Sequence, residues 1–341
     1  MTVDAITDVA GLRVGHATRT GDGWLTGTTV VLAPESGAVA AVDVRGGGPG
    51  TKETDALDPR NVVQRVDAVV LTGGSAYGLD AASGVMAWLE EQWRGVRVGP
   101  GPAHVVPVVP AACVFDLGRG GNFSARPDAE TGRAAVEAAA VSVPGARVWE
   151  GCVGAGTGAV AGRIKGGVGT ASTVLDSGIT VGALVVVNAA GSVIEPETGA
   201  LYGELCLGRV EYPAERVHEA ARRRLDETAA KNAPPPLNTT LAVVATDANL
   251  SKAQAQKLAG TAHDGIARAV RPVHLMNDGD TVFALATGAR SLSERPLELN
   301  DILAAGADVV TRAIVRGVRA AEPVDGPGGV WPSYGELYGA R

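Results

Sequence analysis

At 341 residues the chain can hold one large or two medium domains around a sizeable core. Its 45% hydrophobic and 20% charged residues suit a soluble globular protein, while 47 Gly and 4% aromatics predict close-packed sheets with tight turns, lacking collagen's Gly-X-Y period. A net charge of −7, from 30 basic and 37 acidic residues without a strongly basic run, argues against nucleic acid as the main partner.

In chain order, strand and helix alternate. The opening Met1-Thr2-Val3-Asp4-Ala5 shows no basic region with an apolar stretch behind it, so no signal peptide is expected. Residues 26–33 and 39–44 are β-rich, and Gly46-Gly47-Gly48-Pro49-Gly50 closes the second. An apolar strand over 68–71 runs into Thr72-Gly73-Gly74-Ser75-Ala76-Tyr77-Gly78, and a helix follows over 79–93. Residues 105–114 carry Pro107 and Pro110, which predicts an edge or extended segment. A helix over 127–139 starts on proline, and strands are expected at 146–153, 168–174 and 179–187. Residues 213–231 read as a polar helix with a solvated face, ending in a proline-rich loop, Pro234-Pro235-Pro236. A buried strand over 241–247, a helix over 251–270 capped by Asn249 or Ser251, a strand over 281–287 and a helix over 300–320 complete the pattern. The result is an α/β chain with helices for both sides of its sheets. The stretch 233–238 is the best candidate boundary, but the segment C-terminal to it is too strand-poor to fold alone. One domain spanning 1–341 with a processing loop inside it is therefore expected.

Several motifs point nowhere strong. Gly154-Ala155-Gly156-Thr157-Gly158-Ala159 approximates a dinucleotide loop, but the glycines that crowd after it leave no clean helix start. Lys165 is followed by glycine, so no phosphate loop forms, and no cofactor is expected. Cys113, Cys152 and Cys206 are widely spaced without CxxC, which disfavours a disulfide framework or zinc site and makes a reducing cytoplasm the default. Apolar runs stop short of membrane-spanning length. The five histidines form no HExxH, and Ser75 lacks the spacing of a nucleophile elbow.

Other residues admit two readings. Lys165, between Ile164 and Gly166, is either an exposed turn lysine or a charge that steadies developing negative charge near a nucleophile. Asn188, at the end of an apolar strand, is either turn chemistry or an amide donor to an oxyanion. Asn277-Asp278-Gly279-Asp280-Thr281 lacks the remaining ligands of a calcium loop. It is either a turn or a carboxylate pair for proton and orientation work.

Asn238-Thr239-Thr240 heads the buried strand behind the prolines. As interior threonines these are ordinary β-formers. If the chain cuts itself before Thr239, the freed α-amine titrates at about 7.7–8.0 and can serve as base for its own hydroxyl. Thr239 and Thr240 point to opposite strand faces, so one alone can aim into a site.

Taken together, Thr72 to Leu79, Lys165 to Ser172, Asn238-Thr239-Thr240 and Asp278-Gly279-Asp280-Thr281, in this order, resemble the L-aminopeptidase/D-esterase family, which includes β-aminopeptidases and the nylon-oligomer hydrolase. The likeness covers nearly the whole chain. It implies a four-layer α/β/β/α sandwich, a fold shared with the ornithine-acetyltransferase type, and a precursor that splits into 1–238 and 239–341 and assembles as a tetramer. By position it implies Thr239 as nucleophile, Lys165 as active-site lysine, Asn188 as oxyanion-side amide and Asp278 with Asp280 as the carboxylate pair of the threonine branch. The expected activity is hydrolysis of small peptide, amide or ester substrates. An acyltransferase passing the acyl group to an amine, or a non-cleaving binding protein, are the alternatives. Phe115 stands where the family commonly has tyrosine, which bears on a substrate pocket that also includes Ser75 and Tyr77.

Overall fold

The computed structural model describes residues 2–208, 210–232, 237–293, 295 and 297–339. Ala233 and the proline run 234–236 of the expected processing loop lie outside them. Two five-stranded sheets form the centre. The first uses β1 (Arg13–Gly21) and β2 (Trp24–Leu32), while β3 (Val39–Val44) belongs to the second. Three short strands complete the first sheet: β4 (Thr51–Lys52), β5 (Ala68–Thr72) and β6 (Ala111–Cys113), in the order β1-β2-β5-β6-β4. The second adds β7 (Val168–Val174), β8 (Thr180–Asn188), β9 (Thr239–Ala248) and β10 (Thr281–Arg290), in the order β7-β8-β9-β10-β3.

The period of two along each strand sorts side chains into layers. Val30, Leu32, Ala68 and Val70 face helices α1 (Ala81–Glu91) and α2 (Ala129–Val141). Val31, Val69 and Leu71 instead meet Leu184, Val186, Leu241 and Val243 between the sheets. On the far side, Val185, Ala242 and Val244 pack under α4 (Lys252–Ala269) and α5 (Glu298–Arg319), while α3 (Glu215–Ala229) lies against the end of this layer. Each buried valine or leucine contributes about 1.5–3 kcal/mol of transfer free energy. These three cores are the seams of the expected four-layer sandwich.

Strand connections follow from helix placement. Parallel neighbours need a crossover, and α4 supplies it between β9 and β10, as α1 does between β5 and β6. Helix α4 starts where Ser251 accepts the Gln254 N–H at 3.2 Å while Gln254 bonds back to Ser251 N at 2.9 Å, a capping box.

One expected strand is absent and one strand was not foreseen. Residues 146–153 form no strand, only one bridge between Gly151 and Val168. Strand β1 was not legible, because its outer half is polar and exposed. Helix α3 is mostly polar as expected, with His218, Ala221, Leu225 and Thr228 forming one buried stripe. The glycine run at 154–156 is a buried 3-10 turn rather than the start of a cofactor-binding helix.

Candidate active site

Thr239 opens β9 directly opposite Asn188, the last residue of β8. Its hydroxyl donates to the carbonyl oxygen of Asn238, the residue just before it. That carbonyl also accepts the Gly279 N–H at 3.0 Å, so the Asn238 oxygen has a side-chain and a backbone donor. Gly279 is required by this close approach, since a Cβ there would lie 2.6 Å from the Thr239 hydroxyl. Asn238 is held by its neighbours: its amide nitrogen donates to Ala189 O at 2.8 Å and its backbone N–H to Asn277 O at 3.0 Å. Both residues are almost sealed, at 2% and 4% exposure.

On one side of this peptide lies a cationic group. Arg119, fully buried, donates to the side-chain oxygens of Asn188 and, at 3.2 Å, of Asn238, and to Gly158 O at 2.7 Å. Burial lowers its pKa to about 10, with Asp116 opposing, so it stays charged at neutral pH. Asn188 Oδ1 also accepts the Val160 N–H at 3.0 Å, which turns its amide nitrogen toward Phe115 O at 3.4 Å.

Lys165 lies behind, on the ribbon Ile164–Lys165, completely buried. Its ammonium donates to Gly156 O, Ala159 O and Gly166 O at 3.2, 2.8 and 3.0 Å, which uses all three protons. The exposed-turn reading of Lys165 therefore fails. Burial lowers its pKa to about 8, leaving it mostly protonated at pH 7. It reaches the Thr239 side of the site through the 156–160 turn and makes no hydrogen bond to Thr239 itself.

On the other side lie the carboxylates, each with its own task. Asp278 accepts from Ala190 N at 3.1 Å and Leu275 N at 3.3 Å, and burial, then the Asp280 charge, raises its pKa. Asp280 accepts the Thr240 N–H at 2.7 Å and pairs with His274 Nδ1 at 2.7 Å. His274 stacks edge-on against His263, 4.8 Å between ring centres. Burial lowers the His263 pKa to about 4, so its Nε2–H donates to Asp43 O at 3.0 Å. Among the described residues His274 Nε2, His263 Nδ1 and the Thr240 hydroxyl have no hydrogen-bond partner.

The expected pocket residues divide. Phe115 touches the cluster through its carbonyl and is partly buried. Ser75 sits in the left-handed region (φ 51°) beside Gly74, whose N–H donates to buried Asp116 at 2.6 Å. Tyr77 is 57% exposed under the Arg126 guanidinium at 3.8 Å, away from the cluster.

Arg119, Asp116 and His274 went unread in the sequence. Their only local signal is charge inside glycine-rich or apolar surroundings, as in Phe115-Asp116-Leu117-Gly118-Arg119-Gly120. No set of three or more His, Cys, Asp or Glu among the described residues is placed for a metal, and no described helix is long and apolar enough to cross a membrane.

A buried hydroxyl beside a donor-bearing carbonyl, with cations on one flank and carboxylates on the other, is acyl-transfer geometry. Comparison with known proteins gives the family and the fold. The model of Peptidase family S58 matches residues 4–331. An uncharacterized aminopeptidase of Mycobacterium bovis is 49% identical, covering 98% of both chains. A 6-aminohexanoate-oligomer endohydrolase of Kocuria sp. is 32% identical over 80% of this chain and 72% of its own.

Among solved structures, a Burkholderia sp. β-aminopeptidase superposes with a TM-score of 0.73 at 24% identity, covering 98% of this chain and 91% of that one. The L-aminopeptidase D-Ala-esterase/amidase of Ochrobactrum anthropi, described as a variant of the Ntn-hydrolase fold, gives 0.72 at 21% identity, covering 99% and 97%. Both share the fold. The chain belongs to peptidase family S58 and is an amide-bond hydrolase of that fold.

Proposed function

We propose that the chain is a self-processing N-terminal-threonine hydrolase that cuts itself between Asn238 and Thr239. One observation carries the reading: the Thr239 hydroxyl lies on the Asn238 carbonyl while Gly279 N–H holds the same oxygen. Attack of Oγ1 on the carbonyl carbon gives a tetrahedral centre whose oxygen stays on Gly279. The C–N bond then breaks, a proton passes to the departing nitrogen, and an ester joins Asn238 to the Thr239 hydroxyl. One water hydrolyses this ester, leaving a carboxylate on Asn238 and a free amine on Thr239. The products are chains 1–238 and 239–341.

The same groups then act on substrate. The Thr239 amine takes the proton of its own hydroxyl, which attacks an amide or ester carbonyl. Asn188, fixed by Arg119, donates to the oxyanion, and Lys165 adds fixed positive charge behind the 156–160 turn. Asp280 anchors the strand at Thr240 N, and Asp278 holds the 189–190 turn. Processing also frees Thr239, which is buried in the intact chain, from its bond to Asn238.

Intact-mass spectrometry of purified protein tests the proposal. Two fragments are expected from the wild type and one 34.4 kDa chain, without amidase activity, from Thr239→Ala. Splitting or amide hydrolysis by Thr239→Ala would overturn it.

A further inference from the structure

Away from Thr239, beyond the 189–192 segment, lies a cavity of about 530 Å³ between α3 and the 161–164 ribbon. The volume is that of a small-molecule site. Its floor is apolar and aromatic, with Ile164, Ile194, Leu225, Tyr202 and Tyr338 among the lining residues.

His218, Tyr338 and Ser192 in this lining are already engaged. His218 has two partners, Pro196 O at 3.1 Å and the Tyr338 hydroxyl at 3.0 Å. With a proton on Nε2 the ring donates to the former, and Nδ1 accepts from the latter. Burial pushes the Tyr338 phenol up to about 12, so it stays neutral. Ser192 donates its hydroxyl to Ile194 O at 2.8 Å.

The rim differs. Arg163 pairs with Asp226 at 2.7 Å, so the one carboxylate lining the cavity is neutralised. Arg222 and Arg271 form no ion pair among the described residues, although both line the cavity. Arg271 lies over the Tyr202 ring at 4.7 Å, which flattens it against the wall and leaves its N–H edge free. Two guanidiniums without an ion pair above a largely aromatic floor favour an anion over a cation. Guanidinium matches a planar carboxylate with paired hydrogen bonds, and the floor favours an apolar body behind it.

We propose that this cavity is a second ligand site, separate from the reaction centre, for a monocarboxylate with an aromatic or alkyl body. One wall, Ala190 to Ser192, is the segment whose Ala190 N–H holds Asp278, so an occupant rests against the back of the active site. This assignment does not depend on Thr239 being the nucleophile.

Calorimetry on the full-length protein tests it with 3-phenylpropanoate, 3-phenylpropan-1-ol and inorganic phosphate, none of which contains an amide. The carboxylate is expected to bind at least about tenfold more tightly than the alcohol and than phosphate, as fits one or two charge-assisted bonds. The double variant Arg222→Gln/Arg271→Gln is expected to lose about tenfold in affinity while amide hydrolysis is unchanged. If the double variant fails to fold, the single Arg222→Gln, on the exposed face of α3, carries the same expectation in smaller measure. Equal affinity for the alcohol, equal affinity for phosphate, or unchanged binding by the folded arginine variants would overturn the proposal.

Discussion

The two flanks of the Asn238–Thr239 peptide are built on opposite principles. On the cationic flank, Arg119 and Lys165 spend their donors on fixed oxygens, including Gly156, Gly158, Ala159 and Gly166 carbonyls. Charge is immobilised there by the backbone. On the carboxylate flank, Asp280 is shared between Thr240 N and His274, and buried ring nitrogens on His274 and His263 have no partner among the described residues. The carboxylate flank leaves polar ring atoms open, whereas the other has its donors committed to fixed oxygens. A site that must stabilise an oxyanion and also move a proton needs both kinds of surroundings.

The largest test of this contrast is Arg119→Met. It leaves Asn188, Asn238 and the Gly158 carbonyl short of a donor and buried Asp116 with only Lys165 as counter-charge. The expected loss is about 3–5 kcal/mol in urea unfolding. A loss under about 1 kcal/mol would mean the flank is not rigid in this sense.

Next comes Asp280→Asn, which replaces a charged acceptor for Thr240 N–H and unpairs His274. It should cost roughly 1.5–3 kcal/mol. It should also depress kcat more than KM, because substrate contacts are untouched. An unchanged kcat would remove the carboxylate flank from the chemistry.

The smallest effect at neutral pH is expected for Lys165→Met, where lost hydrogen bonds are offset by the end of a buried charge. Its signature is in pH. With a folded pKa of about 8 against 10.5 unfolded, the unfolded chain holds more protons between these values. The lysine therefore makes wild-type stability rise from about pH 8 to pH 10.5. The methionine variant should lack that increment in thermal melts, and an identical slope in both proteins would show that Lys165 is not held in a charge-disfavouring site.

How much of this was legible depended on whether the cause was local. The strand at 168–174 and the helix over 252–269 carry their signals in apolar period and cap, and both were read closely. Strand β1 was missed because Gly15 and the residues after Ala17 give no apolar alternation. Gly15 is there because the backbone of α2 passes so near that a Cβ would collide with it. The Asp278/Asp280 spacing was visible, but not that the two carboxylates diverge to Ala190 and Thr240. Arg119 was invisible for a related reason: its partners Asn188 and Asn238 lie 69 and 119 residues away, and nothing beside it announces them.

The strand order has a mechanical consequence. Strands β9 and β10 come after residue 238, yet they lie between β8 and β3, which come before it. A cut at 238 therefore produces a smaller piece clamped along both edges by the larger one. It would not slide free, because leaving means tearing two hydrogen-bonded seams and two apolar interfaces at once. The break would end the covalent continuity of the chain without giving either half an independent existence. Dilution alone would not part them, and the two pieces would melt as one.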